Sequence, residues 1–127
     1  MDEVTYAGIP ASEVIAFTEA INYLDLVESR MFGDAVNASI VRNVKAASLK
    51  GQPVSIRGLA RVIGMQPSTI RRRIANLVEQ DWLIHDDKGL RYSPAAFERG
   101  APEARKALLR FASTLKRLGW GDFRPPP

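Results

Sequence analysis

The stretch from Ser55 to Leu77 constrains the fold more than any other part of the chain. Its apolar residues fall in two short runs with the i, i+3, i+4, i+7 spacing of helices that bury one face. Ser55 precedes the first run as a candidate N-cap, Gly64 follows it as a residue that accepts positive φ, and Pro67 opens the second run. The sequence therefore predicts two short helices joined by a tight turn. The predicted core positions are Ile56, Leu59, Ala60 and Ile63 in the first helix and Ile70, Ile74, Leu77 and Val78 in the second.

The second of these helices, predicted over residues 67–80, carries a polar and basic face opposite its apolar stripe. Arginine can make a bidentate contact with guanine, and asparagine can do the same with adenine. Serine and threonine near a helix N-terminus are well placed for phosphate. The pattern favours a helix that lies in the groove of a nucleic acid; a solvated basic face on an ordinary helical hairpin is the alternative. The residues of this face and its flanks are Ser68, Thr69, Arg71, Arg72, Arg73, Asn76 and Glu79.

A β-hairpin is predicted directly after this helix. Residues 82–93 hold two short β-prone runs around the turn signal Asp86-Asp87-Lys88-Gly89. A hairpin in this position is a wing, and Lys88 at its tip and Arg91 on its return strand could reach phosphate or a minor groove. The two aspartates of the turn argue against deep insertion, so we expect contact with phosphate.

Further helices are predicted on both sides of this central region. Residues 12–50 are expected to form two N-terminal helices, with Asp34 as the N-cap of the second. A last helix is predicted over residues 102–119, and its apolar residues have the a/d spacing of a helix–helix seam. The first helix is acidic and the last is basic, so the two could pack within one chain or between two copies; we favour a homodimer. The seam residues are Ala104, Leu108, Phe111, Leu115 and Leu118.

Two segments are expected to stay outside these elements. Residues 1–11 are predicted to be an exposed lead-in, because Gly8 and Pro10 interrupt any periodic pattern. Residues 94–97 are predicted to form a short helical turn, which Gly100 and Pro102 separate from the last helix.

The distribution of charge supports a nucleic-acid partner. The net charge is +4, but residues 1–34 carry seven acids against one base, and residues 35–127 carry 17 bases against seven acids. Between Asp34 and Glu79 there is no acidic residue at all. An acid-free basic segment centred on the predicted helix pair is the electrostatic pattern expected of a nucleic-acid binder. A membrane surface fits less well, because no Trp or Phe anchors border the arginines.

Composition excludes several other classes of function. The chain has no cysteine, so it has neither disulfides nor thiolate metal sites. No apolar run approaches a membrane span and the N-terminus is acidic, so we expect a cytoplasmic protein with no membrane partner. His85 is the single histidine, and no carboxylate pair or phosphate-binding glycine loop accompanies it. We therefore expect neither an enzyme nor a cofactor or metal site.

The order of these elements resembles that of winged helix-turn-helix transcriptional regulators, and most closely the MarR-type family. The resemblance is strongest over residues 54–94, where L-A-R-V-I-G-M-Q-P-S-T-I-R-R-R-I-A-N-L-V-E-Q-D-W-L-I is similar to the family pattern of Leu-Ala, a turn glycine, Pro-Ser-Thr and a closing run. It implies a dimer held by the N- and C-terminal helices, a recognition helix in the major groove and wings on the flanking minor groove. Many such regulators also bind a small effector, for which no residue here provides a signal. The implied DNA contacts are Ser68, Thr69, Arg71, Arg72 and Asn76, with Lys88 and Arg91 from the wing.

Two positions depart from that pattern. Gln66 stands where the family usually has a capping Ser or Thr, and Arg73 stands where it usually has an apolar residue, so Arg73 could contact phosphate. The sequence thus predicts a single domain over residues 1–127, mainly α with a small β-hairpin, in which residues 55–94 form the helix-turn-helix and wing. The predicted function is a homodimeric, sequence-specific regulator that binds double-stranded DNA. The alternative is a winged-helix protein–protein interaction module, or an accessory replication or recombination protein with nonspecific DNA binding.

Overall fold

The computed structural model describes residues 4–121, which form five α-helices and two two-stranded antiparallel hairpins. The prediction of a mainly α chain with a small β-hairpin is therefore confirmed. Between residues 4 and 121 no helix combines the length and the apolar character needed to cross a membrane. The elements in chain order are β1 (Thr5–Tyr6), β2 (Ile9–Pro10), α1 (Ala11–Phe32), α2 (Ala35–Leu49), α3 (Ile56–Ile63), α4 (Pro67–Glu79), β3 (Leu83–Asp86), β4 (Gly89–Tyr92) and α5 (Pro94–Leu118).

The described chain divides into two compact units. The larger unit is Glu28–Pro102, and the smaller unit joins the described residues up to Val27 with those from Glu103 onward. In the larger unit, α2, α3, α4 and the hairpin β3–β4 pack around one apolar core. Burial of these side chains is the main favourable term in folding. The largest fully buried apolar side chains are Ile40, Val41, Val44, Leu59, Ile70, Ile74, Leu77, Leu83 and Leu90.

The helix pair forms as its sequence predicts. The Ser55 hydroxyl accepts a hydrogen bond from the backbone N–H of Gly58 at 3.0 Å and caps α3. Gly64 ends α3 in the left-handed conformation, with φ +80°, and its N–H donates to the carbonyl of Ala60 at 2.8 Å. Pro67 occupies the first turn of α4.

The predicted core positions of this pair are correct with one exception. Leu59, Ala60, Ile70, Ile74 and Leu77 are buried, while Ile56 and Ile63 are partly buried against the same core. Val78 is exposed, because it lies at the edge of the apolar stripe of α4.

The predicted hairpin is present as β3–β4, and its register pairs Leu83 with Tyr92. The extended residue Val54 adds a bridge to Leu90 on the outer side of β4, so the chain entering α3 is tied to the hairpin. Gly89 has φ +111°, and a Cβ built on it would lie 3.0 Å from the carbonyl oxygen of Val54. Glycine is therefore required at this position both by its backbone angle and by the close approach of Val54.

The prediction that α5 begins at Pro102 is wrong, since one continuous helix runs from Pro94 to Leu118. Gly100 is buried, and a Cβ there would lie 3.2 Å from Cε of Met31 and 3.5 Å from the hydroxyl of Tyr92. Glycine at this position lets the helix backbone pass close to the core, and that packing offsets the low helix propensity of glycine. Pro102 lies inside α5. Its fixed φ angle suits a helix, and its missing N–H costs α5 one backbone hydrogen bond.

The prediction for residues 1–11 also needs correction. Residues 1–3 lie outside the described part of the chain, but Thr5–Tyr6 and Ile9–Pro10 pair as a small antiparallel hairpin. Ala7 and Gly8 both have positive φ in its turn. The segment is exposed, as expected, but it is not irregular.

In the smaller unit, the first part of α1 packs against the last part of α5. The ring of Phe17 lies 6.0 Å from that of Phe111 and 4.9 Å from that of Trp120. Of the predicted seam residues, Leu115 is buried but Leu108 is 57% exposed. Contacts within the chain therefore bury only part of the predicted seam of α5.

Candidate nucleic-acid interface

The buried stripe of α4 determines which of its residues face outward. Because Ile70, Ile74 and Leu77 are buried, the opposite side of the helix is open to solvent. Arg71 and Arg72 are exposed, and neither takes part in any of the ion pairs found among residues 4–121. Their guanidinium groups are available to an external anion. Ser68 and Asn76 are exposed on the same helix, and Thr69 is half-buried at its start.

Asn76 has one contact that bears on its predicted role. Its side-chain oxygen accepts a hydrogen bond from Nε2 of Gln80, one turn further along α4, at 2.7 Å. Bidentate contact with adenine needs both the oxygen and the nitrogen of the asparagine amide. The amide oxygen has two lone pairs, so Asn76 can keep this bond while its oxygen accepts from adenine and its nitrogen donates.

Helix α3 contributes two basic residues that the predicted site lacked. Arg57 and Arg61 line an open depression of about 450 Å³ together with Gly64, Gln66 and Pro67 at the start of α4. Gln66 makes no side-chain capping bond, as its residue type predicts. The positive end of α4 thus faces a depression bordered by two exposed arginines. Their i, i+4 spacing within the acid-free segment was the available sequence signal.

Arg73 is placed differently from its two neighbours. Its Nη1 donates to both carboxylate oxygens of Asp34, at 2.7 and 2.9 Å, and to Oδ1 of Asn37 at 3.0 Å. The hydrogen bond from Arg73, followed by that from the backbone of Asn37, holds the pKa of Asp34 below its ordinary value. The guanidinium of Arg73 is thus engaged within the chain, while its contact with DNA stays a prediction.

The two basic residues of the hairpin also differ from each other. Lys88 is exposed in the turn, and its backbone N–H donates to Oδ1 of Asp86 at 3.0 Å. Arg91 forms an ion pair with the same carboxylate. These two contacts, the backbone bond first, keep the pKa of Asp86 below its ordinary value. Lys88 takes part in none of the ion pairs found among residues 4–121, whereas the charge of Arg91 is balanced by Asp86.

Within residues 4–121 no group of three or more His, Asp or Glu side chains is positioned to hold a metal ion. The single histidine, His85, is exposed on β3.

The surface formed by α4, the α3–α4 turn and the tip of β3–β4 is therefore the candidate interface. Its outward groups are guanidinium, ammonium, hydroxyl and amide groups, which are the groups that bind phosphates and base edges. Comparisons of the chain with protein-family models, with curated proteins and with solved structures each find no match, so the inference of function rests on this geometry.

Proposed function

We propose that the chain is a sequence-specific, double-stranded DNA-binding transcriptional regulator of the winged helix-turn-helix type, similar to the MarR family, that acts as a homodimer. The observation that carries this proposal is the exposed polar face of α4, which presents Arg71 and Arg72 without ion-pair partners in residues 4–121 opposite a fully buried apolar stripe. A helix of this kind fits the major groove, which is wide enough to admit it.

In this mechanism α4 is the recognition helix. Arg72 and Asn76 face base edges, where their bidentate contacts select guanine and adenine. Ser68, Thr69 and Arg71 bind phosphates at the start and flank of the helix, where free N–H groups and the helix dipole also favour an anion. Phosphate contacts supply much of the affinity and fix the register in which the bases are read.

The hairpin β3–β4 is the wing of this proposal. Lys88 at its tip contacts the flanking DNA backbone or minor groove. Arg91 contributes less to DNA binding, because its charge is partly neutralised by the ion pair with Asp86. The contribution of the wing is accordingly smaller than that of α4.

Dimerisation is supported by apolar side chains in the smaller unit that contacts within the chain leave exposed. Ile15, Ile21 and Leu26 on α1 and Leu108 on α5 are each at least 42% exposed. Packing these side chains against a second copy would give a symmetric dimer with two recognition helices related by a two-fold axis. In this proposal the two helices read half-sites about one helical turn apart. In this proposal the hairpin β3–β4 contacts DNA and the smaller unit forms the dimer.

A second candidate function comes from the acidic character of the wing. Asp86 and Asp87 directly precede Lys88 in the turn, and Asp86 already neutralises Arg91. A winged-helix module that binds another protein through this hairpin, with nonspecific DNA binding through α4 in replication or recombination, accounts for the same contacts.

The two functions are distinguished by selecting binding sequences from a random duplex pool and then titrating salt. The regulator should enrich a pseudo-palindrome, bind it far more tightly than random duplex, and lose affinity steeply as salt rises. Replacing Arg71, Arg72 and Arg73 together by Ala should abolish retardation. Enrichment of no sequence, with retardation retained at low salt, would favour the second function. Sedimentation of the free chain tests the dimer separately.

A further inference from the structure

Arg73 is the last residue of the arginine triplet Arg71–Arg73, and its side chain is directed back into the larger unit. The side chain is only 26% exposed, and its Nη1 carries all three of the hydrogen bonds to Asp34 and Asn37. We call Arg73, Asp34 and Asn37 the Arg73 cluster. The cluster joins α4 to the first turn of α2, since Asp34 is the N-cap of that helix.

Asn37 extends this cluster to a third helix. It is 7% exposed, and its Nδ2 donates to the carbonyl oxygen of Phe32, the last residue of α1, at 2.9 Å. Its own backbone N–H donates to Asp34, and its Oδ1 accepts from Arg73. One buried amide therefore connects the end of α1, the start of α2 and the middle of α4.

The turn between α1 and α2 is shaped for this arrangement. Gly33 has φ +114°, and a Cβ on it would lie 3.2 Å from Nδ2 of Asn37. A side chain at this position would be strained by its backbone angle and would also press on the amide that bridges the helices. The cluster thus depends on a glycine as well as on its three polar members.

Arg73 is poorly placed to leave this cluster for a phosphate. Its Nε is buried, with no hydrogen-bond partner among the described residues, so the stem of the side chain lies inside the larger unit and does not point toward solvent. Moving the guanidinium outward would leave Oδ1 of buried Asn37 without its donor. The guanidinium of arginine is planar and donates several hydrogen bonds at once, so arginine holds two helices in a fixed orientation better than lysine would.

We propose that Arg73 is a positioning residue that fixes the orientation of α4 through Asp34 and Asn37 and so sets how well Arg72 and Asn76 discriminate between base pairs. This inference rests on the proposed DNA-binding function and adds to it a residue that acts without touching DNA. The supporting contacts of a binding group are expected to matter nearly as much as the group itself, because small errors in orientation weaken directional hydrogen bonds.

The test compares Arg73→Met and Asp34→Asn with the wild type on a selected duplex and on random duplex. Asn caps a helix about as well as Asp, so Asp34→Asn keeps the cap of α2 and removes the charge that holds Arg73. Both variants should reduce the ratio of specific to random affinity by roughly tenfold, the size seen when outer contacts of a binding group are lost. The double variant should be no worse than either single one.

The salt dependence separates positioning from direct contact. If Arg73 positions α4 without touching DNA, Arg73→Met leaves the slope of log affinity against log salt unchanged on random duplex. The exposed control Arg71→Met should lower that slope by the equivalent of about one phosphate contact. A lowered slope for Arg73→Met, or tighter binding by Asp34→Asn because Arg73 has been released, would overturn the inference. Arg73→Lys keeps the charge and should still lose specificity; full rescue by lysine would also count against it.

Amide hydrogen exchange tests without DNA whether Arg73 fixes α4. The amides of α4 should exchange faster, relative to those of α3, in both Arg73→Met and Asp34→Asn. Unchanged protection of α4 in both variants would overturn the inference. If the wild-type chain binds no duplex at low salt, the proposed function fails, and hydrogen exchange still decides whether Arg73 fixes α4. The conservative Asp34→Asn variant keeps the test valid should Arg73→Met not fold.

Discussion

Helices α4 and α5 both begin with a proline and both carry several arginines, but the arginines differ in what they face. On α4, Arg71 and Arg72 are exposed and form no ion pair with any residue in 4–121. On α5, the guanidinium of Arg99 lies 3.8 Å from the centre of the Trp82 ring, and that of Arg110 lies 3.8 Å from the centre of the Tyr23 ring. Positive charge is common to both helices, but Arg99 and Arg110 of α5 stack on aromatic rings of the chain, whereas Arg71 and Arg72 of α4 face solvent.

The position of Arg99 gives it a structural task that its charge alone does not indicate. Besides covering Trp82, its Nη2 donates to the carbonyl oxygens of Gln80 and Asp81, at 3.0 and 3.2 Å. These carbonyls follow the C-terminal end of α4, where a cation also opposes the negative end of the helix dipole. An arginine of α5 therefore binds the carbonyls at the C-terminal end of α4, while Arg71 and Arg72 of α4 face outward.

The largest expected effect comes from removing the ring beneath Arg99. Trp82→Ala deletes a side chain that is 9% exposed and packs edge-to-face on Phe32 at 4.8 Å. We expect the free energy of unfolding to fall by about 3–5 kcal/mol, the usual cost of truncating a buried aromatic residue. Urea denaturation measures it, with Leu49→Ala, a 70% exposed position, as the control. A loss below about 1 kcal/mol would mean that the Trp82 ring does not form part of the core.

The next effect tests the outward-facing side of the comparison. Arg72→Ala should weaken binding to a selected duplex by about 1–3 kcal/mol, the range for a bidentate contact with a base. The matched control is Lys116→Ala on α5, which removes the same charge from another exposed position. Retardation assays at fixed salt measure both. Equal losses for the two variants would mean that net charge, and not the face of α4, determines binding.

The same contrast explains how far the sequence could predict the structure. Helices α2, α3 and α4 were predicted to within about one residue at each end, because their boundaries are set by local chemistry: the Asp34 and Ser55 caps, the Gly64 terminus and the Pro67 start. The interruption predicted near Gly100 was wrong because packing against Met31 overrides the local propensity there. Met31 lies 69 positions earlier in the chain, so no local sequence pattern could indicate this contact.

The site was predictable to a similar extent. The helical period placed Arg72 and Asn76 on the exposed face correctly, and it placed Arg71, which is also exposed, on a flank. It also placed Arg73 on a flank, but a flank residue can turn outward or inward, and the choice depends on Asp34, which lies 39 positions earlier in the chain. The pairing of Arg91 with Asp86 likewise depends on the register of the hairpin, which the turn signal alone did not fix.

Arg99 itself is expected to contribute less than the ring it covers. Arg99→Ala should lower the free energy of unfolding by about 1 kcal/mol, because the residue is exposed and its contact with Trp82 is screened by water. Arg99→Lys should recover only part of this loss, since lysine cannot stack its charge over the ring and donate to two carbonyls with the same planar group. Thermal denaturation of the three proteins gives the order. Full recovery by lysine would assign the effect to charge alone.

The smallest effect concerns Arg73, the one arginine of α4 that behaves like those of α5. Because Arg73 holds the pKa of Asp34 below its ordinary value of 3.8, the ionised carboxylate stabilises the folded state. This contribution is complete at neutral pH and is lost as the pH falls from 3.8 through the lower pKa of the folded state. Asp34 is 50% exposed, so we expect less than about 1 kcal/mol. Urea denaturation of the wild type and Asp34→Asn should show a difference near pH 6 that shrinks toward about pH 2.5. A difference that stays constant over this range would place the stabilising contact of Arg73 on Asn37 instead of on the carboxylate.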